Sequence, residues 1–221
     1  MGSVARPSPN HDDRGGAAVD MLVLHYTGMT SGSAAVERLC DPDAKVSAHY
    51  TVDEDGTVYA HVPEERRAWH AGVSHWSGAD NVNSRSIGIE IVNPGHEYGY
   101  RAFPEAQIAA LINLCGGIVA RHAIPAARVL GHSDVAPARK DDPGELFPWQ
   151  RLADAGIGVW PQGVKSDLGA EALTLYGYDP NAPQDKVIAA FQRHFRPKCL
   201  TGQWDGECAG LLAGLLGPQS V

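Results

Sequence analysis

Cysteine is sparse in this chain of 221 residues, and no two cysteines form a C-x-x-C pair. That spacing excludes a cysteine-based zinc site. Cys40 and Cys115 each follow a leucine in a helical pattern and read as core thiols. Cys199 and Cys208 flank a short loop. They would form a disulfide clip in an oxidising compartment, while usage this thin equally fits a reducing one. Long apolar runs are also missing. None approaches the roughly 18–20 residues of a membrane helix, and Met21-Leu-Val-Leu24 is only strand-sized. Cationic stripes are absent as well: 18 Lys and Arg stand against 26 acids, a net charge of −8. A reader of the nucleic-acid backbone is thereby excluded. Residues 1–20 hold no apolar leader. A cytoplasmic location is therefore expected, the alternative being a periplasmic or outer-membrane-associated protein whose export signal has been trimmed away. No local metal motif such as H-E-x-x-H occurs, so any metal site must be assembled from distant segments.

What is present describes a folded chain, with 43% hydrophobic and 20% charged residues. Val19–His25 reads as a buried strand entering a loop, and residues 33–39 as a short helix capped by Ser33. Asp53-Glu-Asp-Gly56 between two β-type runs (48–52 and 57–61) predicts a hairpin. In Ser86-Ile-Gly-Ile-Glu-Ile-Val92 the isoleucines share one strand face and Ser86, Gly88 and Glu90 the other. Residues 104–122 carry a helical stripe of Ile108, Leu111, Ile112, Cys115 and Val119, with Pro104 at the first helical position. A closing helix over 148–155 stops at Gly156, and residues 156–163 read as a linker. Three helical patterns follow at about 165–175, 184–195 and 205–216. The expected architecture is α/β, a mixed sheet flanked by helices, followed by a small three-helix domain. The boundary falls at 158/159, giving domains 1–158 and 159–221. A tail this short needs to dock on the first domain or to be clipped by Cys199 and Cys208.

Several residues are candidates for chemistry, each with a plainer alternative. His25 ends a buried strand, where side chains face clefts or simply bond a loop. His132 lies in Gly131-His-Ser-Asp134, in which Asp134 suits a helix cap better than a ligand. Asp141 and Asp142 precede Pro143-Gly144 and by themselves would make an Asx-turn. Glu90 sits mid-strand, where a carboxyl is costly unless paired or functional. It is either a salt-bridge partner or a general base. Trp69 and His70 end the segment after the hairpin, and His49 reads as a satisfied core histidine.

Taken in order, Leu24-His-Tyr-Thr-Gly28, Val46-Ser-Ala-His-Tyr50, Arg67-Ala-Trp-His-Ala-Gly72, Ser86-Ile-Gly-Ile-Glu90, Gly131-His-Ser-Asp134 and Lys140-Asp-Asp-Pro-Gly144 resemble the amidase-2 family of zinc-dependent N-acetylmuramoyl-L-alanine amidases. That family shares its fold with peptidoglycan recognition proteins. The opening Arg6-Pro-Ser-Pro-Asn10 is similar to the AmiD/AmpD-like branch. Phe191-Gln-Arg-His-Phe195 and Thr201-Gly-Gln-Trp-Asp205 resemble a peptidoglycan-binding helical domain. The resemblance implies Zn²⁺ held by His25, His132 and Asp142, with Glu90 and Lys140 catalytic and Trp69 and His70 lining the substrate cleft. Asp142 is preferred to Asp141 because the family ligand directly precedes Pro-Gly. Ala48 stands where phage-lysozyme-type relatives place a catalytic tyrosine, which favours a glutamate-dependent branch. The implied activity is hydrolysis of the amide between the lactyl group of N-acetylmuramic acid and L-alanine, in peptidoglycan recycling or turnover. Its partners are muropeptides or the peptidoglycan polymer. The alternative is a non-catalytic muropeptide recognition module. On either reading the tail would bind glycan or roof the active site.

Overall fold

The computed structural model describes residues 2–217. A six-stranded mixed sheet has the order Val4–Ala5, Val58–Ala60, Tyr50–Val52, Ser86–Ile91, Met21–Tyr26 and Val129–Gly131. The three strands Ser86–Ile91, Met21–Tyr26 and Val129–Gly131 run parallel, and Tyr50–Val52 is parallel to Ser86–Ile91. The predicted hairpin is present, with Tyr50–Val52 antiparallel to Val58–Ala60. Two short antiparallel ribbons lie outside the sheet.

Alternation along Met21-Leu-Val-Leu24 divides the core. Leu22 and Leu24, with Ile87, Ile89 and Ile91, pack beneath the Glu105–His122 helix through Ile108, Leu111, Cys115 and Ile118. Met21 and Val23, with Leu130, face the other way, against Trp76, Val135 and the C-terminal helices. Those helices, Leu173–Tyr176, Gln184–Phe195 and Gly206–Leu216, contribute Leu173, Phe191, Phe195, Cys208 and Leu212 to that same core, and the loop after the first of them adds Tyr178. The helical unit is therefore docked on the sheet by apolar burial. All four cysteines are free, so the Cys199–Cys208 clip is not part of the structure. No helix of the described residues is long and apolar enough to cross a membrane.

Local chemistry moved several boundaries. Ser31, not Ser33, caps the first helix, accepting from the Ala34 N–H. Pro104 stands at the cap position and Glu105 opens the long helix. The expected helix over 165–175 begins only at Ala170, because the Ser166 hydroxyl takes the Leu168 N–H into a local turn that competes with helix. The expected linker is not a free spacer. Ile157 and Pro161 are buried, and Val159 and Trp160 pack on the two cores.

Candidate metal centre

Parallel strands bring their carboxyl ends to one edge, where the connecting loops leave a crevice. His25 and Glu90 are direct neighbours in register at that edge. The Val129–Gly131 strand ends beside them and delivers His132 on the first turn of a four-residue helix. The Ser133 N–H donates to the Asp142 carbonyl (2.9 Å), which ties the Asp142 loop to that turn. Tyr100 secures the far side of this loop. Its hydroxyl donates to the Pro143 carbonyl and accepts the Leu146 N–H. Gly144 has φ +85°, and a Cβ there would stand 2.2 Å from the Tyr100 oxygen, so only glycine fits.

Three donor atoms converge as a result. His25 Nδ1 lies 2.9 Å from His132 Nδ1 and 3.1 Å from Asp142 Oδ2, and His132 Nδ1 lies 3.0 Å from Asp142 Oδ2. All three residues are buried. The outer partners decide the tautomers. The Ser86 hydroxyl donates to the Val82 carbonyl, so it accepts from His70 Nε2 at 3.1 Å. His70 Nδ1 is then a bare acceptor, and it takes the proton of His25 Nε2 at 3.0 Å. His132 Nε2 donates to the Ala71 carbonyl at 3.1 Å. Both Nδ1 atoms are left as lone pairs facing a carboxylate oxygen, with no hydrogen between any two of the three. Such a cluster is repulsive without a cation.

The donor set also fits zinc in size. Two neutral imidazoles and a carboxylate at bonds of about 2.0–2.2 Å need donor atoms about 3.3 Å apart, with further positions left open. Electrostatics point the same way. Burial, reinforced by His132, holds the His25 imidazole down to about 4, so it stays neutral.

One loop serves both histidines. His70 supports His25 through its side chain, and the next residue, Ala71, supports His132 through its carbonyl. Asn83 Oδ1 accepts both the His70 and Ala71 N–H groups, which holds the loop still. Gly88 keeps the strand beneath it bare. A Cβ there would stand 2.3 Å from the His70 ring. That contact explains the small face of Ser86-Ile-Gly-Ile-Glu90.

The cluster opens into a cleft of about 410 Å³ whose walls include Trp69, His70, Glu90, Arg139 and Lys140. Glu90 Oε2 is buried without a hydrogen-bond partner. Burial, with Asp142 adding to it and Lys140 opposing, pushes the Glu90 carboxyl well above the usual range. Lys140 has no ion-pair partner among the described residues. Trp69 is half-buried on the wall. His70 also reaches the wall, and both its nitrogens are occupied within the protein, by the His25 Nε2–H and the Ser86 hydroxyl. His49 is a core histidine, with Nδ1 accepting the Gly88 N–H. Asp134 is a cap, its Oδ2 accepting the Gly131 N–H at 2.7 Å. No described residue beyond Asp142 lines the cleft, so the helical unit stands behind the site rather than over it. Trp204 is held inside that unit, donating to the Leu168 carbonyl. Sequence reasoning did not single out Ser86, Ala71, Asn83 or Tyr100 as parts of the site. Only Ser86 left a trace, as a small polar residue on the face shared with Glu90.

Residues 15–145 match the family model Amidase_2, N-acetylmuramoyl-L-alanine amidase. The chain belongs to this family. It is 40% identical to N-acetylmuramoyl-L-alanine amidase AmiD of Escherichia coli K12, over 90% of this chain and 82% of the relative. The structure of the E. coli AmiD complex with anhydro-N-acetylmuramic acid-L-Ala-D-gamma-Glu-L-Lys superposes with a TM-score of 0.80, covering 91% of each chain at 38% identity. AmpDh3 of Pseudomonas aeruginosa, in complex with anhydromuramic pentapeptide, gives a TM-score of 0.81 at 34% identity over 94% of this chain and 93% of that one. The 1,6-anhydro-N-acetylmuramyl-L-alanine amidase AmpD of Enterobacter cloacae is 34% identical over 66% of this chain and 86% of its own length. The fold is thus that of the amidases, and the chain is an N-acetylmuramoyl-L-alanine amidase. The non-catalytic alternative is set aside.

Proposed function

We propose that this amidase is zinc-dependent, holding the metal through His25, His132 and Asp142, and that its substrates are anhydromuropeptides, cut between the lactyl group and L-alanine. The observation that carries the metal is the convergence of three bare lone pairs beside an unpartnered glutamate. When bound there, zinc supplies Lewis acidity, bringing the ionisation of water to about pH 7 and polarising a carbonyl. Glu90 takes a proton at Oε2 from the attacking water and passes it to the departing L-alanine nitrogen. A carboxyl held well above its usual range does both. Lys140 lines the same cleft and offers its ammonium to the oxygen that becomes negative as the lactyl carbonyl turns tetrahedral. The products are a free lactyl carboxylate and a free peptide amine. Trp69 gives the cleft an apolar wall for the sugar or the stem.

The substrate reading is supported by the two relatives bound to anhydromuramyl peptides. A cytoplasmic setting belongs to the same proposal and agrees with four unpaired thiols. Mass spectrometry of products tests it. The zinc-loaded protein is expected to release free peptide from a soluble anhydroMurNAc-tripeptide and to leave intact sacculi uncut. Release from sacculi alone would overturn the soluble-substrate reading, and cleavage of neither would overturn the assignment of the site.

A further inference from the structure

The Phe191-Gln-Arg-His-Phe195 motif lies on the Gln184–Phe195 helix, and the side chains of two of its residues also reach partners outside the helical unit. His194 is buried, its ring stacked against Trp149 at 3.8 Å between centroids. Its Nδ1 donates to Asp134 Oδ2 at 2.7 Å. The same oxygen accepts the Gly131 N–H, and Oδ1 accepts the Tyr178 hydroxyl at 2.7 Å. Asp134 thus joins the helical unit to the turn that carries His132. Arg193, the preceding residue, reaches the other turn. Its Nη2 lies 2.8 Å from Asp141 Oδ1, and its Nε 3.8 Å from Glu145 Oε2. Those two acids bracket Asp142-Pro143-Gly144.

We propose that Arg193 and His194 are positioning residues for the metal centre, one gripping the turn of Asp142 and the other, through Asp134, the turn of His132. Adjacent residues on a helix point about 100° apart. One helix end can therefore hold two loops that meet at a corner. The helical unit is on this view a structural part of the metal site. His25, by contrast, is held from within the sheet by His70 and Ser86. This inference rests on the metal reading above.

The test is zinc affinity of the folded, full-length protein, measured by competition with a chromophoric chelator well below the melting temperature. His194→Phe keeps the stacked ring and removes the donor. Arg193→Met removes the charge at the edge of the seam. Each is expected to weaken zinc binding about tenfold, and the pair about 100-fold, in the range of outer-partner losses at metal sites. Arg193→Lys is expected to recover part of the loss. Leu212→Ala, buried on the Gly206–Leu216 helix, is the control. It is expected to lower the melting temperature while leaving zinc affinity unchanged. Wild-type affinity in both single variants would overturn the proposal. So would an affinity that merely follows the melting temperature, Leu212→Ala included. Should His194→Phe not fold, Arg193→Met with its lysine rescue decides alone. Wild-type protein that binds no zinc would overturn the metal reading and this inference together, whereas tight wild-type binding with unaffected variants overturns this inference only.

Discussion

Glu90→Gln separates catalysis from metal binding, and its effect on stability can be worked from the site. In the wild type Oε2 is buried with no partner, and burial raises the carboxyl well above its ordinary pKa of about 4.3. A carboxyl with a raised folded pKa holds its proton more tightly in the folded chain than in the unfolded one. Its contribution is therefore fully present below about pH 4.3 and is lost as pH rises toward the folded value. The loss accumulates at about 1.4 kcal/mol per pH unit across that interval. Glutamine has the same shape and does not titrate. Urea unfolding of the metal-free protein from pH 4 to pH 8 is thus expected to show wild type losing stability relative to Glu90→Gln, with near-equality at the acid end. Groups that do not interact with Glu90 contribute equally to the two proteins and cancel in the difference. With zinc restored, the variant is expected to bind metal as wild type does, while kcat falls by about 10²–10⁴, the usual contribution of a general acid–base group. Parallel pH–stability curves would refute the buried, unpaired carboxyl. A variant of full activity, or one that had lost zinc, would refute its role.

Lys140→Ala is expected to keep zinc and lose about 10²–10³ in kcat, as for other removed oxyanion donors, measured with a soluble anhydromuropeptide. His25→Ala is expected to lose both metal and activity. Chelator treatment of wild type is expected to abolish turnover, with recovery on adding Zn²⁺. His70→Phe leaves the His25 Nε2–H without its acceptor, and zinc affinity is expected to fall about 10–100-fold with little change in KM of the zinc-saturated enzyme. A KM effect alone would assign His70 to substrate contact and refute its support of His25.

The chemistry of this site was legible wherever it depends on the kind of side chain, and hidden wherever it depends on backbone or on packing between distant segments. His25, His132 and Asp142, up to 117 positions apart, were each ambiguous as single residues; the family resemblance named them as a set, and the fold brings their donor atoms together. Glu90 showed itself by contrast, as one acid in an apolar strand. The hairpin followed from local pattern in the same way, whereas the division of the all-apolar Met21-Leu-Val-Leu24 run between two cores shows only in the fold. The support of His132 comes from the carbonyl of Ala71, which every residue possesses, so no letter could mark it. His70 was read as a cleft residue and lies on the cleft wall, whereas its bond to His25 carried no signal in one dimension. The Arg193-His194 pair lay inside a motif whose resemblance points to glycan binding. Only the docking of that helix against Trp149 and Asp134 turns the pair toward the metal turns. Donor atoms constrain residue identity directly, whereas the partners that aim them constrain only distance. The same aim can be met by a histidine, a carbonyl or a neighbouring helix, so the outer partners of a metal site have to be read from coordinates even when the ligands themselves do not.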